Sequence, residues 1–144
     1  MAFRGTFDFT LDAKNRLTVP ARFRAQLSDG VVLAKSFEPC VALWTPNAYD
    51  LYTRASLEGL PPTGPRHREL SRFFAANAVD TELDAAGRVM LPPFLLDHGS
   101  LSREVVVTGA GDYLEIWDRG AWRDYNAQLA GRVNAITEAL DDAS

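Results

Sequence analysis

A ten-residue phrase near the start of the chain, Leu11-Asp12-Ala13-Lys14-Asn15-Arg16-Leu17-Thr18-Val19-Pro20, returns seventy-two positions later as Leu83-Asp84-Ala85-Ala86-Gly87-Arg88-Val89-Met90-Leu91-Pro92. Each copy is followed by a second matching phrase, Val41-Ala42-Leu43-Trp44 and Leu114-Glu115-Ile116-Trp117, seventy-three positions apart. Halves that agree in turn chemistry, apolar alternation and closing tryptophan mark an internal duplication. Units of about 45 residues are marginal alone, so two of them in 144 residues are expected to share one core.

Phe7, Phe9 and Leu11 alternate with polar residues, as do Leu17 and Val19, which is the period-two signature of half-buried strands. The four residues between them, Asp12 to Asn15, match Asp84 to Gly87 in the second copy. The residue before arginine is Asn in one and Gly in the other, the two types that most readily take left-handed backbone, so the pattern predicts one fixed hairpin shape. Pro20 and Pro92 close each hairpin and suit a helical first turn, predicted over 21–27 in the first copy. Apolar runs at 31–34 and 105–108 and the tryptophan-ended strands complete each repeat.

Helix-start signals follow each tryptophan, at Thr45-Pro46 and at Asp118-Arg119-Gly120, with Tyr49 and Trp122 in equivalent places. Residues 59–65, rich in Gly and Pro, read as a loop before a helix over 66–76, and residues 141–144 as a frayed end. The expected organisation is a first repeat over 5–47, a helical connection over 48–76, a second repeat over 77–120 and a C-terminal helix and tail over 121–144. The fold class is α+β with a mainly β core and peripheral helices.

A hydrophobic content of 47% with 24% charged residues is that of a soluble globular chain, and no apolar run reaches the ~20 residues of a membrane helix. The opening residues lack an apolar signal segment and Cys40 has no partner for a disulfide, which points to the cytoplasm. The net charge of -4 argues at first against a polyanionic partner. Its distribution argues the other way: residues 1–24 carry five cations against two acids, residues 97–144 nine acids against four arginines.

The chemistry concentrates at the two turns. Asp12 with Arg16, and Asp84 with Arg88, bring opposite charges within reach across four residues. A surface ion pair contributes only ~0–1 kcal/mol, so the pairing serves orientation better than stability: a carboxylate that accepts turn amides can aim its arginine. In the first copy Lys14 sits at the tip, Arg4 precedes the outgoing strand, and Arg22 and Arg24 fall on the following helix. A two-stranded ribbon is narrow enough for a DNA major groove, where arginine pairs with guanine edges while neighbours hold phosphates. Asp12, Asn15, Asp84 and Gly87 shape the turns; Arg4, Lys14, Arg16, Arg22, Arg24 and Arg88 are the candidate DNA contacts.

Phe3-Arg4-Gly5, the Asp12-x-Lys14-x-Arg16 turn with Pro20, its echo Asp84-x-x-Gly87-Arg88 with Pro92, and the stretch from Glu104 to Trp117 together resemble the MraZ family of bacterial transcriptional regulators over nearly the whole chain. The resemblance implies two AbrB-like swapped-hairpin repeats about a pseudo-twofold axis. It also implies a repressor of the division and cell wall gene cluster and of its own operon, nucleoid-associated, that binds short direct repeats in double-stranded DNA as a homo-oligomeric ring. Asn15 stands where the family usually has Gly, and Ala86 where Lys14 aligns, which places DNA contact mainly in the first copy.

An enzyme finds little to work with. His67 and His98 lack metal-ligand spacing and read as surface or loop residues, Cys40 as a buried small side chain, and no phosphate loop or nucleophile elbow is present, so no cofactor, metal, catalytic residue or small-molecule substrate is expected. An alternative is an oligomeric scaffold or antitoxin-like interaction protein of the same fold, with Trp44, Trp117, Trp122, Tyr49 and Tyr52 lining subunit contacts. Core packing is the simpler reading of both strand-end tryptophans.

Overall fold

The strands on either side of each Asp-to-Arg turn part company instead of closing a hairpin. The structure, a computed structural model, describes residues 2–143. Strand β1 (Thr6–Thr10) pairs antiparallel with β7 (Glu104–Gly109), Phe7 opposite Val107, while β2 (Arg16–Thr18) pairs with β6 (Arg88–Met90), Leu17 opposite Val89. The hairpin read from alternation is thus exchanged between the repeats, in keeping with the swapped hairpins the resemblance implies: period-two alternation fixes which face of a strand is buried and says nothing of its partner.

Strands β3 (Val31–Lys35), β4 (Val41–Trp44), β5 (Ala78–Thr81) and β8 (Leu114–Asp118) complete a six-stranded sheet in the order β1-β7-β8-β4-β3-β5, beside the two-stranded β2-β6. Exchanging the repeats reverses that order onto itself. The pseudo-twofold axis passes between β4 and β8 at Ala42 opposite Glu115, and through the smaller sheet at Leu17 opposite Val89. The fold is α+β and duplicated.

The core lies between the two sheets. Leu33, Leu43, Val107 and Ile116 project from the larger one onto Leu17, Val19, Val89 and Leu91, all at most 2% exposed. Each such side chain contributes about 1.5–3 kcal/mol by leaving water. On the other face of the large sheet the duplication repeats in its aromatic packing. Trp44 stacks on Tyr52 at 4.7 Å and meets Tyr49 edge-on at 5.6 Å; Trp117 stacks on Tyr125 at 4.7 Å and meets Trp122 at 5.5 Å. Both tryptophans are buried within the chain.

Helices α1 (Pro46–Leu57) and α4 (Arg119–Ala143) begin where the sequence signals place them, two residues before the boundaries drawn at 48 and 121. Thr45 Oγ1 accepts from the Ala48 amide at 3.2 Å, and Asp118 Oδ2 from the Ala121 amide at 3.1 Å. Helix α4 continues to Ala143, and Ser144, part of the end expected to fray, lies outside the described residues. Helix α2 (Pro65–Ala76) leans on α1, with Tyr49 Oη donating to the Phe74 carbonyl at 2.9 Å. The helix expected over 21–27 is two 3-10 turns, Ala21–Phe23 and Ala25–Leu27, whereas its counterpart α3 (Pro93–Gly99) is α-helical. Both histidines are helical and partly exposed: His67 lies on α2, as the helix expected over 66–76 implies, and His98 on α3 donates Nε2 to the carbonyls of Ser36 and Glu38 at 2.9 and 3.1 Å.

Glu115, on the axis, is a partly buried acid on the sheet's outer face. Trp117 Nε1 donates to its Oε1 at 3.2 Å and the buried Cys40 thiol to its Oε2 at 3.5 Å. Burial raises its pKa above the ordinary 4.5, helped by the charge of Glu38 and opposed by those two hydrogen bonds. The folded state then holds a proton the unfolded chain has lost, so stability falls as pH rises from 4.5 through the folded value. Thermal melts of the parent and Glu115→Gln should show the parent gaining on the variant as pH drops from neutral toward 4.5; parallel curves would show that Glu115 does not titrate in this window.

Candidate nucleic-acid interface

The two turns are built alike. Asp12 Oδ1 accepts from the amides of Lys14 and Arg16, each at 2.9 Å, while Oδ2 accepts from Arg16 Nε at 2.6 Å. Asp84 repeats this with the amides of Ala86 and Arg88 and with Arg88 Nε, all at 2.9 Å. Asn15 at φ 58° and Gly87 at φ 76° supply the left-handed residue that the matched substitution pointed to. Both carboxyls are held below the ordinary carboxylate value, chiefly by the amides of Arg16 and Arg88 and in spite of some desolvation. Each aspartate is thus ionised at neutral pH, and it holds the guanidinium of its arginine through Nε. No terminal guanidinium nitrogen of either arginine has a partner among the described contacts.

What the turns share is a face. Leu17 and Val89 point inward, so alternation turns Arg16, Thr18, Arg88 and Met90 to the outer face of the two-stranded sheet, Arg16 opposite Met90 and Thr18 opposite Arg88. Arg16 and Arg88 are then diagonal neighbours, about 7–8 Å apart at Cα. That is close to two base steps of about 3.4 Å in duplex DNA. The turns are tied to this ribbon from opposite ends: the Leu91 amide donates to the Asn15 carbonyl and the Val19 amide to that of Gly87, both at 2.9 Å. The ribbon narrow enough for a groove is a composite, one strand from each repeat.

The remaining candidates divide between the two ends. Lys14 is exposed at the tip of the first turn. Arg24 lies against the second turn: a Cβ on Gly87 would collide with its Nε, which donates to the Val19 carbonyl at 3.1 Å. Arg22 sits over the Phe7 ring at 5.2 Å, and exposed Arg4 lies at the end of β1 remote from the first turn. The first copy therefore does not gather all its cations at its own turn; crossing of the chain lends Arg24 to the turn whose own tip is Ala86. Sequence reading missed Thr18 and Met90. Their signal was the alternation itself, which turns outward whatever stands beside the arginines. Among the described residues no group of three or more His, Cys, Asp or Glu is placed to hold a metal ion, and no helix is long and apolar enough to cross a membrane.

Comparison with known proteins agrees with the duplication. The profile of the family described as MraZ protein matches twice, over residues 2–71 and 74–143. Three similar proteins, each called transcriptional regulator MraZ, come from Oenococcus oeni, Thermoanaerobacter pseudethanolicus and Herpetosiphon aurantiacus. The first is 35% identical over 140 residues, 97% of either chain; the second 33% over 138, 96% of either; the third 36% over 136, 94% of either.

Proposed function

Because the chain belongs to the MraZ family, a non-enzymatic family of transcriptional regulators, we propose that it regulates transcription by laying the outer face of its composite ribbon into the DNA major groove. Arg16 and Arg88 each present a free guanidinium edge to a guanine, while Lys14, Arg24, Arg22 and Arg4 hold flanking phosphates. The observation that carries this reading is the pair of aspartate-aimed arginines set as diagonal neighbours on one face of the ribbon. A single face of this size reads few base pairs and binds weakly, so function calls for several protomers on neighbouring copies of a short direct repeat, each raising the effective concentration of the next.

A homo-oligomeric ring meets that need. Support comes from α4, whose outer half exposes Val133 (49%), Ile136 (49%) and Leu140 (67%) at helical spacing. In this reading the protein is cytoplasmic, sits on the nucleoid and represses its own operon together with division and cell wall genes. Footprinting the purified protein on the DNA upstream of its coding region should give protected patches at a regular spacing, with affinity falling steeply with salt at a log-log slope near the number of phosphates engaged. No retention on any duplex at low salt would favour the scaffold reading.

A further inference from the structure

The outer face of the ribbon is twofold in its arginines but not in what stands between them. The exchange that carries Arg16 onto Arg88 carries Thr18 onto Met90. Met90 is 59% exposed, directly opposite Arg16 and two residues beyond Arg88 on the same face. Its thioether therefore contributes little to the core, and it lies where a groove-bound ribbon would bring it to base edges. The asymmetry extends outward, since the counterpart of Arg22 is Phe94, 37% exposed.

We propose that Met90 is a specificity residue that meets the 5-methyl group of a thymine beside the guanine engaged by an arginine, and so gives the DNA site a direction. The inference rests on the reading of this ribbon as the DNA-contacting face. The physical reason is symmetry. A face with a true twofold axis binds a short element equally well in either orientation and selects a palindrome, whereas a long apolar side chain at one position and a short hydroxylated one at its mate distinguishes the two orientations. Oriented contact is what a row of protomers on same-sense repeats requires.

The test uses the full chain and duplexes selected from a short randomised library, with each thymine then replaced singly by deoxyuridine, which removes the methyl group and nothing else. The parent should lose about four-fold in affinity at one thymine, the worth of one buried methyl, and Met90→Thr should lose nothing there and select a more palindromic site. Thr18→Met should gain a second methyl-sensitive thymine, related to the first by the local dyad; this arm keeps the inference testable should Met90→Thr fold poorly. Deoxyuridine profiles and selected sites unchanged by both substitutions would overturn the role of Met90 while leaving DNA binding intact. Failure of the parent to bind any duplex would overturn the underlying reading and this inference with it.

Discussion

Alanine at both Arg16 and Arg88 should weaken DNA binding by two to four orders of magnitude while moving the thermal midpoint by only a few degrees. Each bidentate arginine–guanine contact is worth about 1–3 kcal/mol of discrimination, so losing both removes roughly 2–6 kcal/mol per protomer, and linked protomers amplify the loss. Stability changes little because each arginine gives up only a solvent-screened surface pair and leaves Leu17 and Val89 in place beneath it. Lys14→Ala should act differently, weakening binding evenly across sequences and lowering the salt slope by about one. Fluorescence anisotropy on a selected duplex, with circular dichroism melts alongside, separates the effects. Affinity of the double variant within a few-fold of the parent would remove the composite face from the mechanism.

Dividing the chain in the exposed loop after α1 should abolish the fold of each half. Residues 1–62 keep the β3–β4 pairing but lose β7 from β1, β6 from β2, β5 from β3 and β8 from β4; residues 63–144 suffer the mirror loss. An isolated two-stranded sheet is marginal in water, and a unit of this size cannot bury enough apolar surface to offset its chain entropy. Each half alone should show no cooperative melt as a monomer and no near-ultraviolet signal from Trp44 or Trp117, and mixing should restore both. A half that unfolds cooperatively as a monomer would contradict the cross-repeat pairing.

How far the sequence could be read depended on the distance over which each feature is decided. The Asp12–Arg16 and Asp84–Arg88 pairs, the left-handed Asn15 and Gly87, and the caps at Thr45 and Asp118 are settled within five residues, and their geometry follows from side-chain reach and backbone sterics. The equivalence of Tyr49 with Trp122 followed from the register of the duplication. Strand partners are settled by residues up to a hundred positions away, and alternation carries no trace of them. For the same reason Arg24 looked like a cation of its own turn, when the exchange of strands delivers it to Gly87. The 3-10 turns at 21–27 share a proline start with α3, yet only the second copy winds into an α-helix.

The pairing of Phe7 with Val107 has a consequence for synthesis. On the ribosome β1 emerges a hundred residues ahead of its partner, and at roughly 5–20 residues per second it waits some 5–20 s with its edge unpaired. The fold can close only once the last strand has cleared the exit tunnel. Until then the nascent chain carries Phe7, Phe9 and Leu17 without the strands that cover them.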